Sequence, residues 1–355
     1  MDSAEIIKFL GKKEMVIIDA LGIIDATAKG IMYITDDEDK LIGCVSDGDV
    51  RRGLMHSGDL SMKISEIMNC SPKFVCENDR ASAAKMMADY SITSLPVLDE
   101  YHRIKDIILL DNRSERSLEK ANTLSNYSVI IMAGGEGTRL HPYTKILPKP
   151  LIPIGDVPII ERVIGQFRAY GVTKYYVTVN FKKKMIESYF SESETDYDIN
   201  YVEENVPLGT AGSIKLIKGE ISKPIFVTNC DILINSKYDR IMDAHIKSGN
   251  MMTIVASTKN ITIPYGVIKP NKEGSLGEIQ EKPNLSYLIN TGMYVINPEA
   301  IDYIPDNTFF HMTDLIQKII DDGKKVSIYP ISEEMFMDMG ELEELKKMEE
   351  RLNLI

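Results

Sequence analysis

Tryptophan is absent from this chain of 355 residues, and the chain holds only four cysteines and five histidines. The cysteines form no CxxC pair and have no histidine at metal-ligand spacing, which argues against a disulfide framework or a zinc site and favours reduced thiols. Basic residues are in deficit, because 41 Lys and Arg against 53 Asp and Glu leave a net charge of -12. This balance argues against nonspecific binding to nucleic acid or a membrane surface, yet it leaves room for a locally positive pocket.

Long apolar runs are also missing. No run reaches membrane-spanning length, and the N-terminal stretch MDSAEIIKFLGKKE lacks the order of regions that defines a signal peptide, so we expect a cytoplasmic protein. The composition is ordinary for a globular chain, with 44% hydrophobic and 26% charged residues. A length of 355 residues exceeds one typical hydrophobic core and predicts two or three domains.

A polar segment divides the chain. Residues 111–128, DNRSERSLEKANTLSNYS, are poor in apolar periodicity, and we place a first domain at 1–120, a linker at 121–126 and a second domain at 127–355. The second part alternates strands and helices and becomes more antiparallel in texture after Met251, which predicts an α/β domain with a mixed sheet. Its predicted strands include SVIIMA, KYYVTVN, INYVEE and PIFVTNC, and its predicted helices IIERVIGQFRAYG, KKMIESYFS, YDRIMDAHIKSG and EELKKMEERLNLI.

The first part repeats itself loosely. The stretch IMYITDDEDKLIGCVSDGDVRRGLM predicts a strand, an acidic turn, a second strand and a helix that begins after Ser46 or Asp47. In the second copy, residues 81–90 predict a helix, and SLPVLDE and RIKDIILL predict a hairpin. Two β-α-β-β-α units at this spacing indicate an internal repeat whose halves pack together.

The most informative stretch is SVIIMAGGEGTRLHPYTKILPKPLIPIG, residues 128–155. Its glycines let the backbone approach a ligand closely and leave N–H groups for phosphate. A P-loop needs a Gly-Lys pair that is missing here, and the dinucleotide fingerprint has Leu140 where its third glycine belongs, which also argues against a nicotinamide-dependent oxidoreductase. A nucleoside triphosphate site remains, in which Arg139 grips a pyrophosphate and Lys149 reaches the other phosphates. The alternative is a glycine-rich surface turn with solvated cations.

The run GGEGTRLHPYTKILPKPLIPIGDVPII resembles the signature of sugar-1-phosphate nucleotidyltransferases, which have a Rossmann-like α/β fold with a mixed sheet. Further segments resemble that family in the same order: ENVPLGTAG is similar to the nucleobase-facing loop, VTNCDI to the metal-binding strand end, EKP and NTGMYV to the sugar-binding segments, and FMDMG to the second metal-ligand turn. The resemblance extends from Tyr127 to the C-terminus.

The resemblance implies a role for each matching position. Arg139 binds the departing pyrophosphate, Lys149 holds the phosphates, and Asp231 and Asp338 hold Mg²⁺, so that Arg139, Lys149 and Asp231 form the catalytic set. The implied substrate-binding residues are Ala133, Gly134, Gly135 and Gly137 beside the nucleotide, Gly209 and Thr210 against the base, and Glu281, Lys282, Asn290 and Gly292 around the sugar phosphate. A phosphate oxygen of the sugar 1-phosphate would attack the α-phosphorus in line, without a protein nucleophile.

The loop PLGTAG is the segment that indicates the base. PLGTAG is similar to the loop of mannose-1-phosphate guanylyltransferase-like members, which favours GTP over the uridylyl, thymidylyl or cytidylyl alternatives. The substrates implied are GTP, or another nucleoside triphosphate, and a sugar 1-phosphate. A different class stays open: a nucleotide-sensing regulatory protein whose transferase domain binds substrates without turning them over.

The first part resembles a tandem pair of CBS domains, an α+β arrangement, through LIGCVSDGDVRRGL. In that resemblance Gly43, Ser46 and Asp49 would contact an adenine nucleotide, whereas Asp106 and Leu109 in the second copy depart from the pattern. The alternative is a module that only pairs the chain into a homodimer or higher homo-oligomer. A CBS pair before such a transferase is similar to the glucosamine-1-phosphate guanylyltransferases of bacterial legionaminic acid biosynthesis, a surface-sugar pathway.

Overall fold

The computed structural model describes residues 3–27, 29–57, 59, 61–90, 92–109, 122–192 and 195–352, which form two compact units. The first unit comprises the described residues within 1–118 together with Thr258–Ile289 and Ser332–Glu334. The second comprises the described residues within 119–257, Asn290–Ile331 and those from Met335 onward. Residues 111–121 of the polar segment lie outside the described residues, so the domain limits predicted above stay a prediction. None of the described helices is both long and apolar enough to cross a membrane.

The N-terminal part of the first unit contains two three-stranded sheets with one shared pattern. In each sheet the first strand pairs parallel with the second, and the second and third form an antiparallel hairpin with a bulge near its turn. The strands are β1 (Leu10–Lys12), β2 (Ile31–Thr35) and β3 (Leu41–Ser46), then β4 (Val75–Cys76), β5 (Ser94–Leu98) and β6 (Ile104–Leu109). The helices are α1 (Ser3–Ile7), α2 (Ile17–Thr27), α3 (Asp47–Ser57) and α4 (Ala83–Asp89).

The two hairpins also share their turn chemistry. In each turn one aspartate carboxylate accepts two backbone N–H groups at 2.9 Å, Asp36 in the first and Asp99 in the second. The hydroxyls of Tyr33 and Ser94 are hydrogen-bonded at 2.7 Å and join the two sheets inside the core. The repeat in the sequence therefore corresponds to a repeat in the fold, while the identity of this repeat as a CBS pair stays a prediction.

The second unit is built on a seven-stranded sheet in the order β11-β10-β7-β12-β17-β14-β18. Strands β11, β10, β7 and β12 run parallel, β17 is antiparallel to β12, and β18 is parallel to β14. The predicted α/β fold with a mixed sheet is confirmed. The strands of the sheet are β7 (Ser128–Met132), β10 (Lys174–Val179), β11 (Asp198–Glu203), β12 (Ile225–Asn229), β14 (Met252–Thr262), β17 (Asn284–Ile296) and β18 (Val326–Ile331).

Shorter strands and the helices complete this part of the chain. The short strands are β8 (Pro153–Ile154), β9 (Val157–Pro158), β13 (Ile232–Ile234) and β19 (Phe336–Asp338), with β15 (Val267–Pro270) and β16 (Leu276–Gln280) forming a hairpin in the first unit. The helices are α5 (Tyr143–Ile146), α6 (Ile159–Arg168), α7 (Lys183–Ser191), α8 (Gly209–Gly212), α9 (Tyr238–Ser248), α10 (Met312–Asp321) and α11 (Leu342–Arg351). Elements of this part of the chain that were not predicted from the sequence are α5, α8, α10, β8, β9, β13, β18 and β19.

The core of the second unit follows from the apolar spacing of its elements. The middle of β7 is buried on both faces, as expected for a central parallel strand covered by helices. On α6 the buried residues are Ile159, Ile160, Val163, Ile164 and Phe167, which lie along one face of the helix. These contacts fix the position of β7, and the glycine-rich loop that follows β7 is anchored at the carboxyl edge of the sheet.

Candidate active site

A cavity of about 410 Å³ lies at the carboxyl ends of β7, β10 and β12. Open α/β sheets bind ligands at this edge, because the loops that follow parallel strands converge there. Every residue in its wall belongs to the second unit. The predicted site residues that line it are Gly134, Gly135, Gly137, Arg139, Lys149, Gly209, Thr210 and Asp231. These eight residues, which span positions 134 to 231 of the sequence, therefore share one cavity.

The glycine loop needs its glycines for two different reasons. Gly137 has φ of 65°, in the left-handed region that favours glycine. Gly134 is packed so closely that a Cβ there would lie 2.7 Å from Oε1 of Glu204, whereas a Cβ on Gly135 would meet no atom of the chain within 4 Å. Ala133 is buried just before them, and its N–H donates to the backbone oxygen of Thr178 at 3.2 Å.

Lys182 binds the end of α5, the short helix that follows this loop. Its ammonium donates to the backbone oxygens of Thr144, Lys145 and Ile146 at 3.2, 2.6 and 2.8 Å, at the end of α5 where helical carbonyls lack partners. The Thr144 hydroxyl in turn donates to the backbone oxygen of Gly137 at 2.9 Å. A lysine that the sequence analysis did not single out is therefore connected through α5 to the glycine loop.

The two predicted cations lie near the two predicted metal ligands. The Lys149 ammonium donates to Oδ2 of Asp231, and the two side chains are only 13% and 11% exposed. Arg139 lies beside Gly340, where a Cβ would be 3.4 Å from its Nη1 and 3.3 Å from Oδ1 of Asp338. Positive and negative groups therefore alternate along this wall of the cavity, as a site for phosphates and a cation requires.

Asp231 and Asp338 are brought together by the short antiparallel pair β13–β19. Asp338 is in register with Ile232, and the Met339 N–H donates to the backbone oxygen of Asp231 at 2.9 Å. Burial, and then the neighbouring charge of Asp231, raise the pKa of the Asp338 carboxyl. Within the described residues Oδ1 of Asp338 is buried without a hydrogen-bond partner. Two neighbouring carboxylates with an unpartnered oxygen are donors that a hard divalent cation takes, so the residues fit Mg²⁺.

The predicted nucleobase-facing loop, ENVPLGTAG at residues 204–212 and called the base loop below, is held in place by the segment before α10. Gly209 has φ of 78°, and a Cβ there would lie 2.6 Å from the backbone oxygen of Phe310. The hydroxyl of Thr210 accepts the Met312 N–H at 2.9 Å, at the start of α10. The loop is thus held by a segment about one hundred residues away in sequence, which no local pattern could predict.

Glu204 is a residue of the cavity wall to which the sequence analysis gave no role. It directly follows β11, it is only 8% exposed, and its Oε2 accepts the Leu208 N–H at 3.0 Å. Burial raises the pKa of its carboxyl. The available signal was its position as the first residue of the loop ENVPLGTAG. A buried carboxylate is expensive unless it is hydrogen-bonded, and the Leu208 N–H supplies one such bond to Glu204.

The predicted sugar-binding residues are less concentrated. Asn290 and Gly292 lie in β17, where Asn290 Nδ2 donates to the Tyr294 hydroxyl at 2.7 Å. Gly292 has φ of 86°, and a Cβ there would lie 2.5 Å from Nδ2 of Asn229, a residue that lines the cavity. Gly292 therefore packs directly behind the cavity wall, and only glycine fits there.

Glu281 and Lys282 belong to the first unit, just after β16. Lys282 has φ of 44° and donates its N–H to the backbone oxygen of Tyr265 at 3.3 Å. Oε2 of Glu281 lies 3.1 Å from the position that a Cβ on Gly266 would take. Their predicted contacts with the sugar phosphate stay a prediction.

The three residues predicted to bind a regulatory nucleotide have clear partners within the fold. Ser46 and Asp49 exchange hydrogen bonds: the Asp49 N–H donates to the Ser46 hydroxyl at 3.2 Å, and the Ser46 N–H donates to the Asp49 carboxylate at 2.8 Å. This is the pattern of a capping box at the start of α3. A Cβ on Gly43 would lie 3.0 Å from the backbone oxygen of Asn69. Helix capping and close backbone packing account for these residue types, and their contact with a nucleotide stays a prediction.

Comparison with known proteins defines the class. A model of the family described as Nucleotidyl transferase matches residues 128–353. The chain belongs to this family.

The chain is also similar to particular proteins, in sequence and in fold. The chain is similar to the mannose-1-phosphate guanyltransferases of Debaryomyces hansenii, at 36% identity over 184 residues that cover 49% of this chain and 51% of that protein, and of Emericella nidulans, at 33% over 221 residues that cover 60% of each. It therefore spans about half to three fifths of the length of these relatives. The crystal structure of HddC from Yersinia pseudotuberculosis is similar with a TM-score of 0.51 and 23% identity, over 64% of this chain and 99% of HddC. At that identity the likeness concerns the fold alone.

Proposed function

We propose that this protein is a sugar-1-phosphate nucleotidyltransferase, which forms a nucleoside diphosphate sugar and pyrophosphate from a nucleoside triphosphate and a sugar 1-phosphate. The observation that carries the proposal is the meeting of the glycine loop, Arg139, Lys149, Asp231 and Asp338 around one cavity edge, in a chain of the nucleotidyl transferase family. The cavity volume of about 410 Å³ suits a nucleotide-sized ligand.

The reaction needs positioning and charge compensation more than a protein nucleophile. An oxygen of the sugar 1-phosphate attacks the α-phosphorus of the nucleotide, and the bond from that phosphorus to the bridging oxygen of pyrophosphate breaks. Arg139 offers two parallel N–H donors to the pyrophosphate, and Lys149 offers a compact charge to the phosphates. Both cations offset the negative charge that moves onto the leaving group.

The carboxylates of Asp231 and Asp338 would hold Mg²⁺ in this site. When bound, that cation neutralises phosphate charge and makes pyrophosphate a better leaving group. Two cations of the chain lie beside these carboxylates: Lys149 contacts Asp231, and Arg139 and Asp338 both lie next to Gly340. Substitution of either aspartate by asparagine should weaken Mn²⁺ binding, which electron paramagnetic resonance measures without any assay of turnover.

GTP is the nucleotide that we propose, and Glu204 supplies a physical reason. The Watson–Crick edge of guanine carries two adjacent donors, N1–H and the N2 amino group, which one carboxylate can accept together. Adenine and cytosine present an acceptor beside their amino group, and uracil and thymine present one N–H between two carbonyls. The two similar guanyltransferases support the same choice.

Glucosamine 1-phosphate is the sugar that we propose first, and mannose 1-phosphate is the alternative. The glucosamine proposal rests on the resemblance of the whole chain to the guanylyltransferases of legionaminic acid biosynthesis. Mannose 1-phosphate is supported by the two similar proteins, which carry that substrate in their names. A panel of sugar 1-phosphates separates the two.

For the first unit we propose a role in assembly of a homodimer or higher homo-oligomer, with adenine nucleotide binding as the alternative. The contacts of Asp49 with Ser46 and Arg52 account for these side chains without a bound nucleotide. Light scattering on the full chain gives its mass, and addition of ATP or AMP tests the alternative. An unchanged melting temperature and unchanged turnover with either nucleotide would exclude the sensor.

The decisive test of the activity is pyrophosphate release with four nucleoside triphosphates against the panel of sugar 1-phosphates. We expect release with GTP and one hexose or hexosamine 1-phosphate, and its loss in Arg139→Met. GTP binding without release for any pair would overturn the enzyme and leave the binding-only regulatory protein.

A further inference from the structure

Two aromatic rings that have no role in the proposed chemistry lie in the cavity wall. Phe309 and His311 both line it, and their ring centroids are 4.7 Å apart at an interplanar angle of 80°. Phe309 is 59% exposed, although it is a large apolar side chain. An exposed phenylalanine in the wall of a ligand cavity is costly for folding alone and useful for binding a flat ring.

The segment that carries these rings is fastened to the predicted base loop. The Phe310 N–H donates to the backbone oxygen of Leu208 at 2.9 Å, and the Phe310 oxygen accepts the N–H groups of Ala211 and Gly212 at 3.0 and 3.1 Å. The Met312 N–H donates to the Thr210 hydroxyl at 2.9 Å. Phe309 and His311 flank this anchored residue, so the two rings are held at a fixed place beside the base loop.

We propose that Phe309 and His311 form a stacking surface for the purine base of the bound nucleotide, in which one ring lies face to face with the base and the other, at 80° to the first, contacts the base edge-on. The inference rests on the proposed nucleotide site and adds two binding residues to it. Aromatic side chains stack on bases through their π faces, and this contact depends little on the pattern of donors and acceptors at the base edge. Glu204 then binds the Watson–Crick edge of the base, while one of the two rings stacks on its face and the other contacts it from the side.

This division of roles predicts two distinct patterns of affinity. Loss of the Phe309 ring should weaken GTP and ATP by the same factor, about tenfold, since stacking on one base is worth this much in related contacts. Replacement of the Glu204 carboxylate by an amide should weaken GTP and leave ATP unchanged. A purely structural role for Phe309 would lower the melting temperature of Phe309→Ala together with its affinity for both nucleotides, whereas loss of stacking lowers the affinity alone.

His311 also caps α10, so the substitution that tests its ring must preserve the cap. Its side chain and Asp314 form a capping box at the start of α10, and removal of the cap by alanine would destabilise the helix. Asparagine is a good N-cap residue without a ring, so His311→Asn removes the stacking surface and keeps the cap.

The absence of tryptophan from the chain allows a direct optical test. Phe309→Trp introduces a single tryptophan into the cavity wall, and Ile320→Trp introduces one on α10 at an exposed position that is 49% accessible. Stacking of guanine on the indole ring should quench the emission of Phe309→Trp saturably on addition of GTP, and the emission of Ile320→Trp should stay constant.

The experiment measures GTP and ATP affinity by calorimetry on the full chain, for the wild type, Phe309→Ala, Phe309→Trp, His311→Asn and Ile320→Ala. We expect Kd for both nucleotides to rise about tenfold in Phe309→Ala and His311→Asn, with Phe309→Trp and Ile320→Ala close to the wild type. Wild-type affinity in Phe309→Ala and His311→Asn, or no nucleotide binding in any variant, would overturn the inference. Binding with the expected pattern but no pyrophosphate release would overturn the proposed enzyme and leave the stacking surface intact.

Discussion

Lys149 donates a hydrogen bond from its ammonium to the carboxylate of Asp231, and the two side chains form a nearly buried ion pair, 13% and 11% exposed. The pair joins the proline-flanked turn that follows the glycine loop to the end of β12. Asp338 adds a second, partly buried carboxylate nearby, so Lys149 offsets negative charge beside the cavity.

Removal of this lysine should therefore destabilise the protein as well as inactivate it. Lys149→Met leaves Asp231 and Asp338 without their main cation, and loss of one partner of a buried pair costs about 3 kcal/mol. The Lys149→Met/Asp231→Asn double variant removes both charges and should recover most of the lost stability, with no recovery of pyrophosphate release. Urea unfolding of the wild type, Lys149→Met, Asp231→Asn and the double variant measures this, and additive losses in the double variant would argue against direct coupling.

The adjacent glycines offer a matched pair of substitutions. Gly134→Ala places a Cβ at 2.7 Å from Oε1 of Glu204, whereas Gly135→Ala meets no atom of the chain within 4 Å. We expect Gly134→Ala to displace the Glu204 carboxylate and raise Kd for GTP about tenfold, a cost typical of lost charge-assisted hydrogen bonds. Gly135→Ala should keep the melting temperature of the wild type. Calorimetry and thermal unfolding decide this, and equal behaviour of the two variants would refute the predicted contact.

Lys182 contacts α5 and has no proposed contact with phosphate, so its substitution should affect activity through the position of the glycine loop. Lys182→Met removes the donor to three carbonyls at the end of α5 and should loosen the glycine loop, with kcat/KM for nucleotide reduced about tenfold. Lys182→Arg should retain most of the activity because it keeps a cationic donor. Lys184→Met, at an exposed position in the same run, is the control, and a loss as large as that in Lys182→Met would show a general charge effect instead.

His245 makes the stability of the protein depend on pH. Burial lowers the pKa of this imidazole below its ordinary value of 6.5, and its Nε2 is 3.1 Å from Oδ1 of Asn297 while Nδ1 is 2.8 Å from the Thr253 hydroxyl. The amide oxygen only accepts, so Nε2 carries the proton and Nδ1 accepts from Thr253 in the neutral ring.

The direction in which stability changes with pH follows from this neutral form of His245. The unfolded chain takes up a proton near pH 6.5 and the folded chain only at lower pH, so the stabilising contribution of neutral His245 is complete above pH 6.5 and is lost as the pH falls. Thermal unfolding between pH 7.5 and 5 should show a steeper decline for the wild type than for His245→Gln. Identical slopes would contradict this account.

The sequence predicted the main elements of the second unit because their periodicity is local. Strands such as β7 and β10 appear as apolar runs, and α6 and α9 have one apolar face, so each pattern lies within about a dozen residues. The three-residue strands β13 and β19 are too short for any periodicity, although they bring Asp231 and Asp338 together. The start of α10 was missed because its N-cap is histidine, which is outside the usual set of cap residues.

The site residues likewise divide into those that a local sequence motif predicts and those that only tertiary contacts bring to the cavity. The glycines, Arg139 and Lys149 lie in one continuous motif and were predicted from it, whereas Asp231 was predicted from the resemblance of VTNCDI to the family's metal-binding strand end. Phe309 and His311 reach the cavity because Phe310 pairs with a loop about one hundred residues earlier. Such a contact is set by tertiary packing, and a single sequence carries no local trace of it.

The central claim is that this chain transfers a nucleotidyl group to a sugar 1-phosphate, and the most direct measurement follows the transferred phosphorus. GTP labelled at the α-phosphate is incubated with Mg²⁺ and glucosamine 1-phosphate or mannose 1-phosphate, and the products are separated by mass. The account predicts a labelled GDP-sugar in an amount equal to the pyrophosphate released, and none with Asp231→Asn. Absence of a labelled nucleotide sugar with every nucleotide and sugar in the panel, from folded protein that binds GTP, would contradict it.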